Sequence, residues 1–356
     1  MFDARGWMTW LLAAVVMTML TRNPFYTLII LLVAQVVEKA CALPDIGLNL
    51  PLIRIGLILL AFSTLMNVLF VHIGVTVLFR LPGSWPYIGG PLTLEAAVFG
   101  LGNGLILLTL LVIFTTFNKV VTTGELVRLS PRALRDLAVV VLIGLTYVPE
   151  TMNQLRRIRE AQAIRGHQIR GLGDWRPVLI PLLIGGLERA MGVAEAMVAR
   201  GYGSTADVRQ PLKIQLALLV GLLATFLGWV LSFWIGWPGW LVMAAGIVAI
   251  GFLLWQLGQQ TPFTRYRPDR LTGWNVGLMG TAVLAVLFFI IPIPFLNRVT
   301  LAYSPYPQLA WPGFDVFIGL CILLLIYPAV VVLLNDSGTV GRLATATKVA
   351  DSDDYD

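Results

Sequence analysis

Charge is scarce in this chain: 12% of its 356 residues are Asp, Glu, Lys or Arg, against 58% hydrophobic residues and a mean hydropathy of +0.83. So few charges cannot clothe a water-soluble surface, which excludes an ordinary globular enzyme or binding module and leaves a polytopic membrane protein. Cysteine is nearly absent as well. Cys41 and Cys321 stand far apart with no Cys-x-x-Cys or Cys/His spacing, so neither a zinc site nor a disulfide framework is indicated, and both read as packing residues. There is no Gly-x-x-x-x-Gly-Lys-Ser/Thr loop to cradle phosphates. Gly338-Thr-Val-Gly341-Arg342 is too short and lacks the lysine. Acidic residues gather only at Asp351, Asp353, Asp354 and Asp356, in a tail (335–356) whose polar composition predicts disorder rather than a metal site.

What the chain has in quantity is long apolar runs. Eight read as membrane spans, at 7–20, 25–37, 55–79, 98–118, 215–235, 239–257, 274–292 and 314–334. Arg5 precedes the first without a cleavage signature, so that run is expected as a retained span. Thr21-Arg22-Asn23-Pro24 predicts a tight hairpin between the first two, because Pro24 breaks the helix. A further apolar run at 137–149 is not counted. With eight spans and both termini inside, 22 of the 25 Lys and Arg residues face the cytoplasm, leaving Arg22, Arg80 and Arg298 outside. A ninth span would move Arg156, Arg157, Arg159, Arg165 and Arg170 outside, against the usual bias. The same bias accounts for the pI near 9.5 without invoking nucleic acid. Loops 80–97 and 293–313 carry Trp85, Tyr87, Tyr303, Tyr306 and Trp311, which read as an aromatic belt.

The fold expected is therefore all-α, with about eight transmembrane helices and two long cytoplasmic helices between the fourth and the fifth. The domains are 1–118 (N-terminal spans), 119–213 (cytoplasmic), 214–334 (C-terminal spans) and 335–356 (tail). In the cytoplasmic region Leu134, Leu137, Val141, Leu142 and Leu145 recur at helical spacing, predicting one apolar face. Pro149 predicts a bend or restart. Glu160 stands four residues from Arg156, within pairing reach, while Arg156, Arg157 and Arg159 suit contact with anionic lipid. Asp174 before Trp175-Arg176-Pro177 reads as the N-cap of the second helix, and Gly185, Gly192, Ala196 and Ala199 leave one side of it thin enough for close helix approach.

Two stretches in this region repeat one another. Ala161-Gln162-Ala163-Ile164-Arg165-Gly166 and Ala196-Met197-Val198-Ala199-Arg200-Gly201 each end a helix with small residues, an arginine and a glycine. Each glycine suits a left-handed position just past a helix end, and each arginine complements the helix dipole. A single such end is an ordinary cap. Two in one region present a pair of guanidinium groups able to make bidentate bonds to a partner's carboxylates or carbonyls.

At these residues the chain resembles the T component (EcfT/CbiQ-like) of energy-coupling-factor (ECF) transporters, the transmembrane coupling subunit of a class of ABC importers. The resemblance runs through Thr122-Thr123, Tyr147-Val148-Pro149-Glu150, Glu160 to Gly166, Glu188-Arg189-Ala190, and Glu195-Ala196-Met197 to Tyr202, in the family's order and spacing, and covers about residues 7–235. Ile164 replaces the small residue common beside the first arginine, and the last three spans, from Trp240, exceed what the family usually has. The resemblance implies that Ala163, Arg165, Gly166, Ala199, Arg200 and Gly201 couple the chain to ATPases, with Gln162, Glu188, Arg189 and Glu195 in support. It implies two ABC ATPase subunits and a membrane-embedded substrate-binding (S) subunit as partners, beside the lipid bilayer and without nucleic acid. It also implies uptake of a vitamin, a precursor or a metal ion across a prokaryotic cell membrane. The chain itself would be non-catalytic, with no cofactor. A stand-alone transporter or channel is the alternative. It predicts charged residues inside the spans, which hold few, and His72 in the third reads equally as a hydrogen-bonded packing residue or a proton carrier.

Overall fold

A computed structural model describes residues 2–42, 51–82, 89–130, 135–166, 171–202, 212–260, 272–291 and 296–335. Leu134, Arg170, Trp85, Tyr87, the Gly338–Arg342 stretch and the acidic tail lie outside them. The chain divides into two compact units, one formed by residues 1–126 with 268–356, the other by 127–267.

The first unit is a helical bundle built round α4. Its helices are α1 (Ala4–Leu20), α2 (Pro24–Cys41), α3 (Leu52–Phe70) and α4 (Leu94–Val120), with α10 (Gly273–Ile290) and α11 (Val316–Leu323) added from the far end of the sequence. After α11 the helix runs on through a 3-10 turn at Leu324–Ile326 to Asn335. The apolar runs make helices, and the last of them passes through its 3-10 turn just before Pro328, which has no N–H to give the ladder. They bury one face each: Trp10 and Met17 from α1, Tyr26, Ile30 and Val37 from α2, Val112 and Ile113 from α4, Leu278 from α10, and Ile318 and Ile322 from α11. Two polar contacts tie distant parts of the chain together in this core: Trp10 Nε1 donates to Leu325 O at 2.9 Å, and Asp3 N donates to Asn275 Oδ1 at 2.7 Å. Pro24 does what its sequence predicts. α1 stops at Leu20, and α2 begins with Pro24 in its first turn, capped by Asn23 Oδ1 accepting from Phe25 N at 3.0 Å.

The third span is shorter than its apolar run. α3 ends at Phe70 rather than near 79, and the chain turns through Gly74 (φ +146°) into a short antiparallel hairpin, β1 (Val77–Arg80) with β2 (Pro91–Thr93). Two side chains at the start of α4 capture the strand-forming segment. Thr93 Oγ1 donates to Ile73 O, while Glu95 Oε1 accepts from Val75 N and Thr76 N at 3.2 and 2.9 Å. Those bonds compete with continuation of α3 and win, in a stretch whose β-branched residues favour extended backbone.

The second unit contains two antiparallel helix pairs, α6 (Arg135–Ile164) with α7 (Arg176–Ala199), and α8 (Leu212–Ile235) with α9 (Trp237–Gln260); the short α5 (Thr123–Arg128) leads into it. The α8–α9 hairpin turns at Gly236 (φ +76°) and closes on glycine: a Cβ on Gly228 would lie 2.7 Å from Met243 Cα. Such close approach gives van der Waals contact between helices that hydrophobicity alone would not hold together in lipid.

Among the described residues, seven helices are long and apolar enough to cross a membrane: α2, α4, Gly173–Ala199, α8, α9, α10 and Val316–Asn335. The shorter α1 and Arg54–Phe70 are apolar too. The addition to the eight expected spans is Gly173–Ala199, which is essentially α7. It packs along α6, which carries Glu150, Arg156, Arg157, Arg159 and Glu160, and a bilayer core is a costly place for that partner.

Candidate functional site

α6 and α7 form a hairpin whose contacts recede along α7 as they advance along α6. Gln162 Nε2 reaches Pro177 O at 3.5 Å, Gln154 fills the space over Gly185, and Glu150 pairs with Arg189 at 3.4 Å. The covered stripe follows helical spacing on both sides, through Tyr147, Thr151, Gln154 and Ile158 on one and Val178, Leu182, Gly185, Arg189 and Val193 on the other. α6 carries on through Pro149 without restarting. The proline ring lies on the exposed side, so the helix loses one backbone bond and no packing.

Both helices end in the way their sequences suggest. Gly201 has φ +78°, its N–H donates to Val198 O at 2.9 Å, and Tyr202 N donates to Met197 O at 2.9 Å. This is the Schellman arrangement, which satisfies carbonyls left open by the end of α7. At the end of α6, Gly166 has φ +77° and donates to Ala163 O at 2.9 Å. Arg165 and Arg200 therefore occupy the same place in two like-shaped ends. Both are exposed, and among the described residues neither enters an ion pair. Each stands near an uncovered aliphatic side chain, Ile164 at 88% and Val198 at 71% exposure, and Ala163 and Ala199 are exposed too.

The hairpin carries its two arginines to opposite ends. Arg165 sits where α6 meets the start of α7, and Arg200 sits beyond the middle of α6 toward its beginning. Fifteen residues separate Glu150 from Arg165 and eleven separate Arg189 from Arg200. At 1.5 Å per residue those arms are roughly 22 and 16 Å, so the two guanidinium-bearing ends stand up to roughly 39 Å apart.

The supporting residues fall into two groups. Gln162 and Arg189 bridge α6 and α7, whereas Glu188 and Glu195 are exposed and form no ion pair among the described residues. Asp174 does not cap α7. The residue before that helix is Trp175, and the Asp174 carboxylate instead accepts from Gly171 N at 3.0 Å, closing a 3-10 turn at Leu172–Trp175. Of the small residues expected to thin α7, Gly185 meets α6, while a Cβ on Gly192 would meet nothing within 4 Å. Arg156 and Glu160 do not pair, and Leu137, Val141, Leu142 and Leu145 are exposed.

Sequence patterning missed two ionisable features. Glu95, in the first turn of α4, is fully buried, and its sequence signal was an acid just outside the expected span. Its two backbone donors give it a structural task, holding the segment after α3. Glu38 and Lys119 close the last turns of α2 and α4 with a 2.6 Å bridge. His72 lies past the end of α3, not within a span; its Nε2 is buried without a hydrogen-bond partner, so the packing role expected for it lacks the bond. Among the described residues no three His, Cys, Asp or Glu side chains gather to hold a metal ion.

The family described as cobalt transport protein, CbiQ, matches residues 2–212. The chain is 31% identical over 130 residues to the energy-coupling factor transporter transmembrane protein EcfT of Listeria innocua, covering 31% of this chain and 49% of that protein. It is 30% identical over 165 residues to EcfT 1 of Listeria monocytogenes (40% and 58%) and 31% identical over 112 residues to EcfT of Bacillus subtilis (28% and 41%). The chain thus spans about half the length of the curated relatives it matches.

Proposed function

Because the chain belongs to the CbiQ cobalt transport protein family, we propose that it is the energy-coupling T component of an ECF-type importer. In that role it passes the motion of two ABC ATPase subunits to a membrane-embedded substrate-binding subunit. The observation that carries this reading is the pair of matched helix ends, Arg165-Gly166 and Arg200-Gly201, exposed at opposite ends of one hairpin. Two anchors up to roughly 39 Å apart suit two docking points better than one groove, hence a pair of ATPase subunits.

The coupling region, 119–213, then works as a lever rather than as a catalyst. Each arginine makes charge-assisted bonds to carbonyls or carboxylates of one ATPase, and the exposed Ile164 and Val198 pack beside it. Closing of the ATPase pair on ATP moves the anchored ends relative to each other, and the α6–α7 pair transmits a rigid-body displacement to the spans. The driving free energy comes from contacts that differ between the nucleotide states. ATP is hydrolysed by the partners. The cargo is a vitamin, a precursor or a metal ion, bound by the separate subunit, and the coupling ends face the cytoplasm of a prokaryotic cell.

Affinity purification of the tagged chain in mild detergent tests the reading, with Arg165→Ala, Arg200→Ala and the double variant alongside. ATPases bearing Walker motifs should co-purify with the native chain and be lost in the double variant, while membrane insertion is unchanged. Capture that survives the double variant, with uptake intact, refutes the anchoring role. Solute movement by the purified chain alone in liposomes would instead establish a stand-alone transporter.

A further inference from the structure

The middle of the α6–α7 hairpin holds a polar cluster whose arrangement is poor for stability and good for geometry. Arg189 is held from three directions. Its Nε donates to Gly185 O at 3.3 Å, its Nη1 lies 3.4 Å from Glu150 Oε1, and its guanidinium carbon sits 5.9 Å from the centroid of the Tyr147 ring. One turn away, Gly185 has no side chain and Gln154 of α6 occupies the space. Tyr147 OH, Gln154 Oε1 and Arg189 Nη2 are buried without partners. Glu150 is 54% exposed, and an ion pair that open to solvent contributes little. Aliphatic side chains would join the two helices with no orphaned polar atoms.

What a planar guanidinium does, and an aliphatic side chain does not, is fix an orientation. The cation–π contact with the Tyr147 ring and the Glu150 carboxylate draw the guanidinium from two directions at once, while its Nε stays on Gly185 O. Both contacts cross from α7 to α6 near the midpoint of each helix, where a change of crossing angle moves both ends at once. With arms of roughly 22 and 16 Å, that angle decides how far apart Arg165 and Arg200 stand.

We propose that Arg189 is the positioning residue of this hairpin, setting through Tyr147 and Glu150 the crossing angle of α6 and α7 and hence the separation of the two arginine-bearing ends; its consequence for transport rests on the coupling reading above. Arg189 touches no partner in this role and acts through the distance between residues that do.

The test measures that distance without any partner. Spin labels are placed on cysteines at the exposed Ile164 and Val198, with Cys41 and Cys321 changed to serine, in the full chain reconstituted in lipid nanodiscs. With Arg189 present, pulsed electron resonance should give one narrow distance. Arg189→Ala should broaden or shift it, and Arg189→Lys should do the same, because lysine keeps the charge and lacks the planar face. Tyr147→Leu, a second variant that leaves the arginine in place, should reproduce the effect. An unchanged distance in Arg189→Ala and Tyr147→Leu overturns the proposal, as does full rescue by lysine, which would mark an ordinary charge contact. ATPase capture is measured separately with the native chain. Changed distances in a chain that captures no ATPase support the positioning role and remove the coupling reading, so the two failures read differently.

Discussion

Gly166 and Gly201 adopt the same left-handed backbone, φ +77° and +78°, each directly after an exposed arginine. A side chain added at Gly166 would meet nothing within 4 Å, so any penalty there is conformational rather than steric. Gly166→Ala should cost about 1 kcal/mol. Confined to the last turn, that cost appears as about fivefold faster amide exchange near the end of α6. Asparagine, which tolerates the left-handed region, should recover most of the protection. Equal exchange in Gly166→Ala and the native chain would show that the cap is not held by the glycine.

Glu38 and Lys119 join the C-terminal ends of α2 and α4 at 2.6 Å, each side chain less than a fifth exposed. Lys119 also lies in the last turn of α4, where a cation suits the helix dipole. Glu38→Gln leaves an uncompensated, largely covered ammonium and should cost about 2 kcal/mol of thermal stability in detergent. Adding Lys119→Met should return much of the loss, since removing both charges removes the desolvation problem. Strictly additive effects of the two changes would show that the pair is not coupled.

Glycine at the α8–α9 seam differs from glycine elsewhere on the same hairpin. At Gly228 a Cβ would press on Met243 Cα at 2.7 Å and on the Val242 carbonyl carbon at 2.9 Å, whereas at Gly251 it would meet nothing within 4 Å. Gly228→Ala should therefore push the helices apart at a cost of about 1–3 kcal/mol. Gly251→Ala should be neutral or stabilising by up to about 1 kcal/mol, since alanine is the better helix former. Thermal unfolding of both variants decides, and a Gly228→Ala chain as stable as Gly251→Ala would show that the seam does not depend on glycine there.

How far the sequence spoke for the structure depended on the range of the interaction. Pro24 ending one helix and opening the next, and the glycines after Arg165 and Arg200, are local, and each was legible from a few neighbouring residues. The end of α3 was not. Val71 to Val77 is as apolar as the span before it, and what stops the helix is Thr93 and Glu95, about twenty residues on, bonding to its backbone. Pro149 looked like a break, yet a proline on an exposed face costs a long helix little. The matched ends were visible as a repeat. That they stand at opposite ends of a hairpin was not, because the register of α6 on α7 is set by Gln154 meeting Gly185 and Glu150 meeting Arg189, pairs that no periodicity within one helix announces.

Tyr306 supplies a pH test of the loop before α11. Its ring lies 5.4 Å from that of Phe99, its hydroxyl is buried without a hydrogen-bond partner, and burial together with the nearby Glu95 carboxylate raises its phenol above the ordinary value of 10.0. The fold therefore favours the neutral phenol. Below pH 10 the phenol is protonated in folded and unfolded chains alike, and its contribution is fully present. As pH climbs from there toward the raised value, the unfolded chain releases its proton first, so stability falls. Tyr306→Phe removes both the titration and the orphaned hydroxyl. It should be neutral or stabilising by about 1 kcal/mol near neutral pH, with an advantage that widens by about pH 11. Tyr303 gives the contrast, because its phenol is likewise raised by burial but donates to Ala310 O at 2.9 Å. Tyr303→Phe should cost about 1 kcal/mol at neutral pH. Thermal unfolding of the two variants across this range separates them, and a Tyr306→Phe chain with the same alkaline loss as the native protein would place the titrating group elsewhere.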